Sequence, residues 1–257
     1  MLQYLVILLD DTSVSYCHYD NRKSEHRLIS LENLKAGILF AMKENLMLQF
    51  VYPHYELPQA YKDAIETIDH SKIVPVEYRD EADVVVLDDW EQLSVSGCDI
   101  QKTYVLRTGK TGFFKNYTIL NEVLDKVLRL NVILVDIDTF TESDFDIYKS
   151  VLDELALKLK GMYLEGMAPQ LNLLTDRMML DKMNNCNAGV ENITLAPDGK
   201  FYICPAFYLA DDGYSIGSLV EVLDIKNPKL YKLSYAPLCR NCDAYQCKRC
   251  IWMNWKT

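Results

Sequence analysis

The chain has 257 residues, of which 49% are hydrophobic and 25% are charged, and its formal net charge is −10. This length suits one large domain or a main domain with a small second one, and the ordinary composition excludes disordered and collagen-like proteins. An acidic chain offers no broad basic face for phosphates, so we expect no nucleic-acid partner.

The first predicted element is a buried strand at residues 4–9, an apolar run that ends in Asp10 and Asp11. The run is short and no basic residue precedes it, so we do not interpret it as a signal peptide. No stretch reaches the roughly 20 apolar residues that a membrane helix needs. We therefore expect a cytoplasmic protein without membrane contact, where clustered cysteines bind metals or serve catalysis more often than they form disulfides.

Strands and helices alternate up to about residue 180. Further strands are predicted at 47–52, 73–76, 84–87, 104–106 and 132–135, and helices at 30–45, 58–68, 116–129 and from Ser143 onward. The first helix is expected to bury a stripe that includes Leu34, Ile38 and Met42. This alternation predicts an α/β fold, with a parallel sheet covered by helices that is either open or curled into a partial (β/α) barrel.

Beyond residue 183 the sequence changes character and predicts a β-hairpin. Residues 192–196 and 201–204 flank Pro197-Asp198-Gly199-Lys200, which has the composition of a tight turn. We therefore predict two domains, an α/β domain at 1–183 and a small cysteine-rich domain at 184–257.

The second predicted domain holds most of the cysteines. Six of the eight fall in it, namely Cys186, Cys204, Cys239, Cys242, Cys247 and Cys250. Two Cys-x2-Cys pairs and a third pair across a hairpin are typical of metal ligation, and unliganded buried thiols rarely cluster in this way. Zinc ribbons usually separate their two cysteine pairs by about a dozen residues or more, whereas the two Cys-x2-Cys pairs of this chain lie closer together. The spacing therefore favours iron–sulfur clusters, with zinc as the alternative.

This region resembles the SPASM region of radical S-adenosylmethionine peptide-modifying enzymes. The similarity lies in Cys186, in the hairpin 193–205 with its Gly199-x4-Cys204 spacing, in the compact cysteine quartet that follows, and in Ile216-Gly217-Ser218-Leu219. The quartet departs from the family spacing by one residue in each of two gaps, and the last distant cysteine of the family is missing. The resemblance implies that Cys186, Cys204 and Cys250 serve one [4Fe–4S] centre. It implies that Cys239, Cys242 and Cys247 serve a second centre that lacks its distal thiolate, and six thiolates cannot fully ligate two cubanes, which take eight.

A second, narrower resemblance extends over most of the chain. The segments LLDDTSVSYCHY (8–19), AMKENL (41–46) and CRNCDA (239–244) are similar to the CXXX-repeat peptide maturases. That resemblance implies a degenerate radical S-adenosylmethionine barrel and a role in maturing a ribosomally made, cysteine-repeat precursor peptide. It also implies a complete radical S-adenosylmethionine maturase as a partner.

The loop after the first strand lacks the ligands for radical chemistry. A Cys-x3-Cys-x2-Cys loop is required there, and in this chain only Cys17 stands at one of its positions, while Asp10 and Val14 stand at the other two. We therefore predict that S-adenosylmethionine is not cleaved, and the sequence leaves open whether the protein is an enzyme. The rival hypothesis is a zinc-stabilised protein–protein interaction module without a redox role.

Other candidate functional residues are weaker. Four acids, Asp10, Asp11, Asp88 and Asp89, follow apolar strands, where parallel sheets bind ligands, but loop solvation explains most such acids. The four histidines share no metal-ligand spacing. Residues 108–112 (TGKTG) lack the full phosphate-binding pattern, and we interpret them as a tight turn.

Overall fold

Parallel strands alternate with helices along most of the chain, which confirms the predicted α/β class. The structure, a computed structural model, describes residues 2–21, 23–93, 97–178, 186–210, 213–232, 235, 239–242 and 250–256. The strands are β1 (Tyr4–Leu8), β2 (Met47–Val51), β3 (His70–Pro75), β4 (Val84–Leu87), β5 (Thr103–Thr108), β6 (Arg129–Leu134), β7 (Gln170–Leu171), β8 (Asn192–Leu195), β9 (Lys200–Tyr202) and β10 (Gly217–Ser218). The helices are α1 (Leu31–Glu44), α2 (Gln59–Ile65), α3 (Lys110–Asn116), α4 (Leu120–Val123), α5 (Glu142–Leu164), α6 (Thr175–Met178), α7 (Pro205–Leu209) and α8 (Ile251–Lys256).

The chain divides into two units. The first comprises Met1–Ser15, Tyr19–Glu77 and Leu180–Thr257, and the second comprises Tyr16–His18 and Tyr78–Met179. The predicted boundary at 183/184 lies outside the described residues, and the predicted division into domains remains a prediction.

In the first unit the described strands follow the order β10-β9-β8-β1-β2-β3. Strand β1 pairs in parallel with β2 and with β8, and β2 pairs in parallel with β3, whereas β8, β9 and β10 pair antiparallel. Ile7 stands level with Phe50 on one side and Leu195 on the other, and all three are fully buried. The predicted hairpin is confirmed, and its first strand belongs to the same sheet as the N-terminal strand.

Helix α1 covers one face of this sheet. The Ser30 side chain accepts a hydrogen bond from the Asn33 amide at 3.1 Å, as expected of a helix cap. The helix buries Leu34, Gly37, Ile38 and Ala41. Met42, which the sequence placed on the buried stripe, is 59% exposed, because the apolar face is centred one position earlier.

In the second unit β4, β5, β6 and β7 pair in parallel in that order. The cap of α5 differs from the prediction, since Thr141 rather than Ser143 accepts the amide hydrogen bond from Asp144. The Asp144 carboxylate in turn accepts a hydrogen bond from the Thr141 amide at 2.8 Å, which completes a capping box.

The predicted tight turn at 108–112 is wrong. Gly109 caps helix α3, which begins at Lys110, so Gly112 lies inside a helix. The two carboxylate oxygens of Asp136, just after β6, accept the Lys110 backbone amide at 2.9 and 3.1 Å. They thus provide a hydrogen-bond partner for an amide of the first turn of α3, which has none within the helix. The helix predicted at 116–129 therefore begins six residues earlier and continues as short helical pieces to Lys126.

Candidate functional site

The β8–β9 hairpin positions Cys204. Gly199 has φ +78°, a left-handed conformation that glycine adopts at little cost, and it reverses the chain. The Asp198 carboxylate accepts the Lys200 amide at 3.1 Å and the Tyr202 hydroxyl at 2.8 Å, which fixes the turn. Cys204 then stands half-buried at the cap position of α7, two residues after the end of β9.

The segment that carries Cys186 lies beside the same hairpin. Asn192, the first residue of β8, donates its side-chain amide to the Cys186 carbonyl at 2.8 Å. Gly189, with φ +79°, packs so closely that a Cβ there would lie 2.9 Å from Cδ1 of Ile203. The stretch after Cys186 is therefore held against the residue that precedes Cys204. The Cys186 side chain itself is exposed.

An aromatic contact joins the helix that follows Cys250 to helix α7, which follows Cys204. It directly precedes α8, whose Trp252 is 6% exposed. The Trp252 ring meets the ring of Phe207 on α7 edge to face, with centroids 5.4 Å apart. The helices that follow Cys250 and Cys204 therefore pack against each other.

Cys239 and Cys242 form a local turn. The Cys242 amide donates to the Cys239 carbonyl at 3.0 Å, and both side chains, like that of Cys250, are free thiols. Cys247 lies outside the described residues. Within the part of the chain that the structure describes, no three His, Cys, Asp or Glu side chains lie close enough to hold a metal ion. The donor set is made of thiols, which suit iron–sulfur clusters and zinc by their chemistry.

The loop that joins β1 to α1, residues 9–30, is built around a buried carboxylate. Asp10 is fully buried, and its Oδ1 accepts hydrogen bonds from the Thr12 amide at 2.8 Å and the Thr12 hydroxyl at 2.6 Å. The Tyr55 hydroxyl donates to Oδ2 at 2.8 Å, and the His26 ring lies 3.6 Å from Oδ1. Burial and this hydrogen bond raise the pKa of Tyr55 well above its ordinary value, so it remains a donor. Both carboxylate oxygens of Asp10 therefore accept hydrogen bonds from the protein, and we interpret Asp10 as a structural residue.

Asp11 connects the same loop to α7. The hydroxyl of Tyr208, a buried residue of α7, donates to Asp11 Oδ1. Lys23 lies 3.9 Å from Asp11 Oδ2 and 4.1 Å from the centroid of the Tyr208 ring. Burial and the Asp11 carboxylate raise the pKa of Tyr208 far above its usual range. The sequence identifies Asp11 as a candidate functional residue but not Tyr208 or Lys23, since no local pattern pairs residues so far apart.

The remaining predicted acids make local contacts. Asp88 lies 3.6 Å from Arg107 where β4 and β5 end, and Asp89 accepts the Gln92 amide at 3.0 Å. Burial, with a smaller contribution from Arg107, lowers the pKa of His18.

No helix of the described residues combines the length and apolar character that crossing a membrane requires.

Similarity to known proteins is limited to solved structures. No protein-family model matches the sequence, and no curated protein matches it. The chain is similar to two crystal structures of Streptococcus suis SuiB, one of them bound to the precursor peptide SuiA. For both structures the TM-score is 0.47 and the sequence identity is 11%, over 93% of this chain for the peptide complex and 90% for the other. The chain spans 66% of the length of SuiB in each case.

Proposed function

We propose that this protein is a component of a ribosomal-peptide maturation system, resembling the CXXX-repeat peptide maturases, and that its C-terminal cysteines bind iron–sulfur clusters. The observation that carries the proposal is the packing of the segments that carry Cys186 and Cys250 against the segment that carries Cys204. Gly189 packs on Ile203, which precedes Cys204, and Phe207 contacts Trp252, two residues after Cys250. Such packing of distant segments is what one shared metal centre needs.

The proposed ligands fall into two groups. Cys186, Cys204 and Cys250 would hold one centre, and Cys239, Cys242 and Cys247 would hold the other. A bound cluster would supply one-electron transfer, with a potential set by its surroundings. The protein's own contribution is positional: the hairpin turn fixes Cys204, and the contact between α7 and α8 fixes the approach of Cys250.

The β1–α1 loop supports a role beside a complete enzyme. In place of thiolates it presents Asp10, whose carboxylate is engaged by Thr12 and Tyr55, and the buried Val14. We therefore assign the radical step to a complete radical S-adenosylmethionine partner. This protein would bind or present the cysteine-repeat precursor peptide or relay electrons in the cytoplasm, without cleaving S-adenosylmethionine itself.

A zinc-stabilised interaction module is the second candidate. The Cys239–Cys242 turn, with its amide-to-carbonyl hydrogen bond of 3.0 Å, is also a geometry that chelates zinc. In that case the cysteine region would stabilise a protein–protein surface and take no part in electron transfer.

Metal analysis of anaerobically purified protein tests the proposal. We expect iron and acid-labile sulfide in equal amounts, together with the broad visible absorption of a cluster that bleaches with dithionite. Stoichiometric zinc without sulfide would refute the clusters and support the interaction module. If neither metal is retained after reconstitution with iron and sulfide or with zinc, both candidate functions are wrong.

A further inference from the structure

Helix α7 joins Cys204 to a buried tyrosine. Cys204 caps the helix, and Tyr208 follows four residues later, so the two residues stand about one helical turn apart. The Tyr208 side chain is 7% exposed, and its ring packs edge to face on that of Tyr202, with centroids 5.2 Å apart. A five-residue helix held in this way moves as one piece, so a shift of Cys204 becomes a shift of Tyr208.

Asp11, which accepts the Tyr208 hydroxyl, also links the two arms of the β1–α1 loop, the residues that follow β1 and those that lead into α1. The Asp11 side chain accepts the Tyr208 hydroxyl and lies 3.9 Å from Lys23. The Asp11 amide donates to the Arg27 carbonyl at 3.3 Å, and its carbonyl accepts the side-chain amide of Asn21 at 2.7 Å. A displacement of Asp11 therefore disturbs both the outgoing and the returning arm of the loop.

We propose that Tyr208 is a positioning residue that couples the thiol of Cys204 to the β1–α1 loop through its hydrogen bond to Asp11. Coupling between two sites is reciprocal. Ligation of Cys204 restrains the loop through this hydrogen bond, and loss of the bond between Tyr208 and Asp11 exposes Cys204 and weakens its hold on a ligand. The metal-dependent half of this inference rests on the proposed function, whereas the coupling between thiol and loop does not.

Tyr55 provides a matched control. Its hydroxyl also donates to a buried aspartate of the same loop, Asp10, at 2.8 Å. Tyr55 lies between β2 and α2, and the contacts described for it involve neither α7 nor Cys204. Tyr55→Phe and Tyr208→Phe thus each remove a hydroxyl that donates to one of two adjacent aspartates. Only Tyr208→Phe removes the proposed connection to Cys204.

The first measurement uses metal-free, reduced protein. Alkylation of Cys204 by N-ethylmaleimide is followed by peptide mass spectrometry in the wild type and both variants. We expect Tyr208→Phe to accelerate labelling of Cys204 about tenfold, as loss of one hydrogen bond implies, and Tyr55→Phe to leave it unchanged. Asp11→Asn keeps an acceptor oxygen for Tyr208 and should stay close to the wild type. Equal labelling in wild type and Tyr208→Phe, or equal acceleration by both tyrosine variants, would overturn the coupling.

The second measurement adds metal. Hydrogen exchange is followed in peptides from residues 9–15 and 23–29, before and after reconstitution with iron and sulfide or with zinc. We expect loading to slow exchange of these peptides in the wild type and in Tyr55→Phe but not in Tyr208→Phe. Metal binding with no change of exchange in the wild type contradicts the coupling. If no metal binds, the proposed function fails, and the alkylation result alone decides whether Tyr208 couples the two segments.

Discussion

At the scale of single residues, the β1–α1 loop is organised around two buried acids. An isolated carboxylate in a protein interior is costly, but hydrogen bonds to its charged form offset that cost. Asp10 receives them from Thr12 and Tyr55, and Asp11 receives one from Tyr208. The loop is thus organised by side-chain hydrogen bonds.

The cysteines themselves give a prediction at the residue scale. Replacing Cys239 or Cys242 with Ser should lower the bound metal by at least about half, because a hydroxyl is a far poorer ligand than a thiolate for iron or zinc. Cys98→Ser is the control, since this residue lies in the other unit and burial, which outweighs the opposing effect of Arg79, raises the pKa of its thiol. Metal and sulfide per chain are measured after identical reconstitution. Equal losses from all three variants would mean that the clustering of the cysteines in sequence is not a guide to ligation.

At the scale of elements, the hairpin turn gives a prediction with a matched glycine control. A side chain at Gly199 would have to adopt φ +78°, and its Cβ would lie 2.7 Å from the Asn33 side chain. Gly199→Ala should therefore lower the free energy of unfolding by about 1–2 kcal/mol. It should also lower metal retention, because the turn positions Cys204.

The control is Gly161→Ala in the last turn of α5. Apart from the adjoining residues and the backbone of the helix itself, no heavy atom of the described part of the chain lies within 4 Å of a Cβ at Gly161. Alanine there should raise the free energy of unfolding by about 0.5–1 kcal/mol, since it restricts the unfolded chain more than glycine does. Urea denaturation of both variants measures the two changes. Two changes of the same sign would contradict this account of the hairpin turn.

Elements with a strong local signal could be predicted, and those decided by distant partners could not. Pro197 to Lys200 and the cap at Ser30 carry their own conformational preferences, and the structure confirms both. Residues 108–112 resemble a turn by composition, yet they begin a helix because Asp136, far along the chain, accepts the Lys110 amide. Likewise Thr141 outcompetes Ser143 as a cap because the spacing to Asp144 completes a reciprocal pair of hydrogen bonds.

At the scale of the whole molecule, strand pairing is the feature that the sequence predicts least. Apolar runs identify β1 and β8 as buried strands, but nothing in either run selects its parallel neighbour. Their pairing, with Leu5 level with Ile193, brings the cysteine-bearing hairpin beside the strand that precedes Asp10. The contact between Tyr208 and Asp11 follows from that pairing, which is why composition and spacing could identify the acid and the cysteines but not the connection between them.

The last prediction concerns the chemistry of the chain as a whole. Reconstituted protein mixed with dithionite and S-adenosylmethionine should form no 5′-deoxyadenosine above the background without protein. In the radical S-adenosylmethionine enzymes that the sequence resembles, three thiolates of the loop after the first strand hold the cubane. In this chain two of those positions are Asp10, fully buried, and Val14, whose amide donates to the Tyr52 carbonyl at 3.0 Å. Cys17→Ser should behave as the wild type, because Cys17 alone cannot hold a cluster, and a complete radical enzyme assayed in parallel verifies the reagents. Formation of 5′-deoxyadenosine by the wild type would reveal a radical site built from other residues. If that formation were lost in Cys17→Ser, Cys17 would be part of the site.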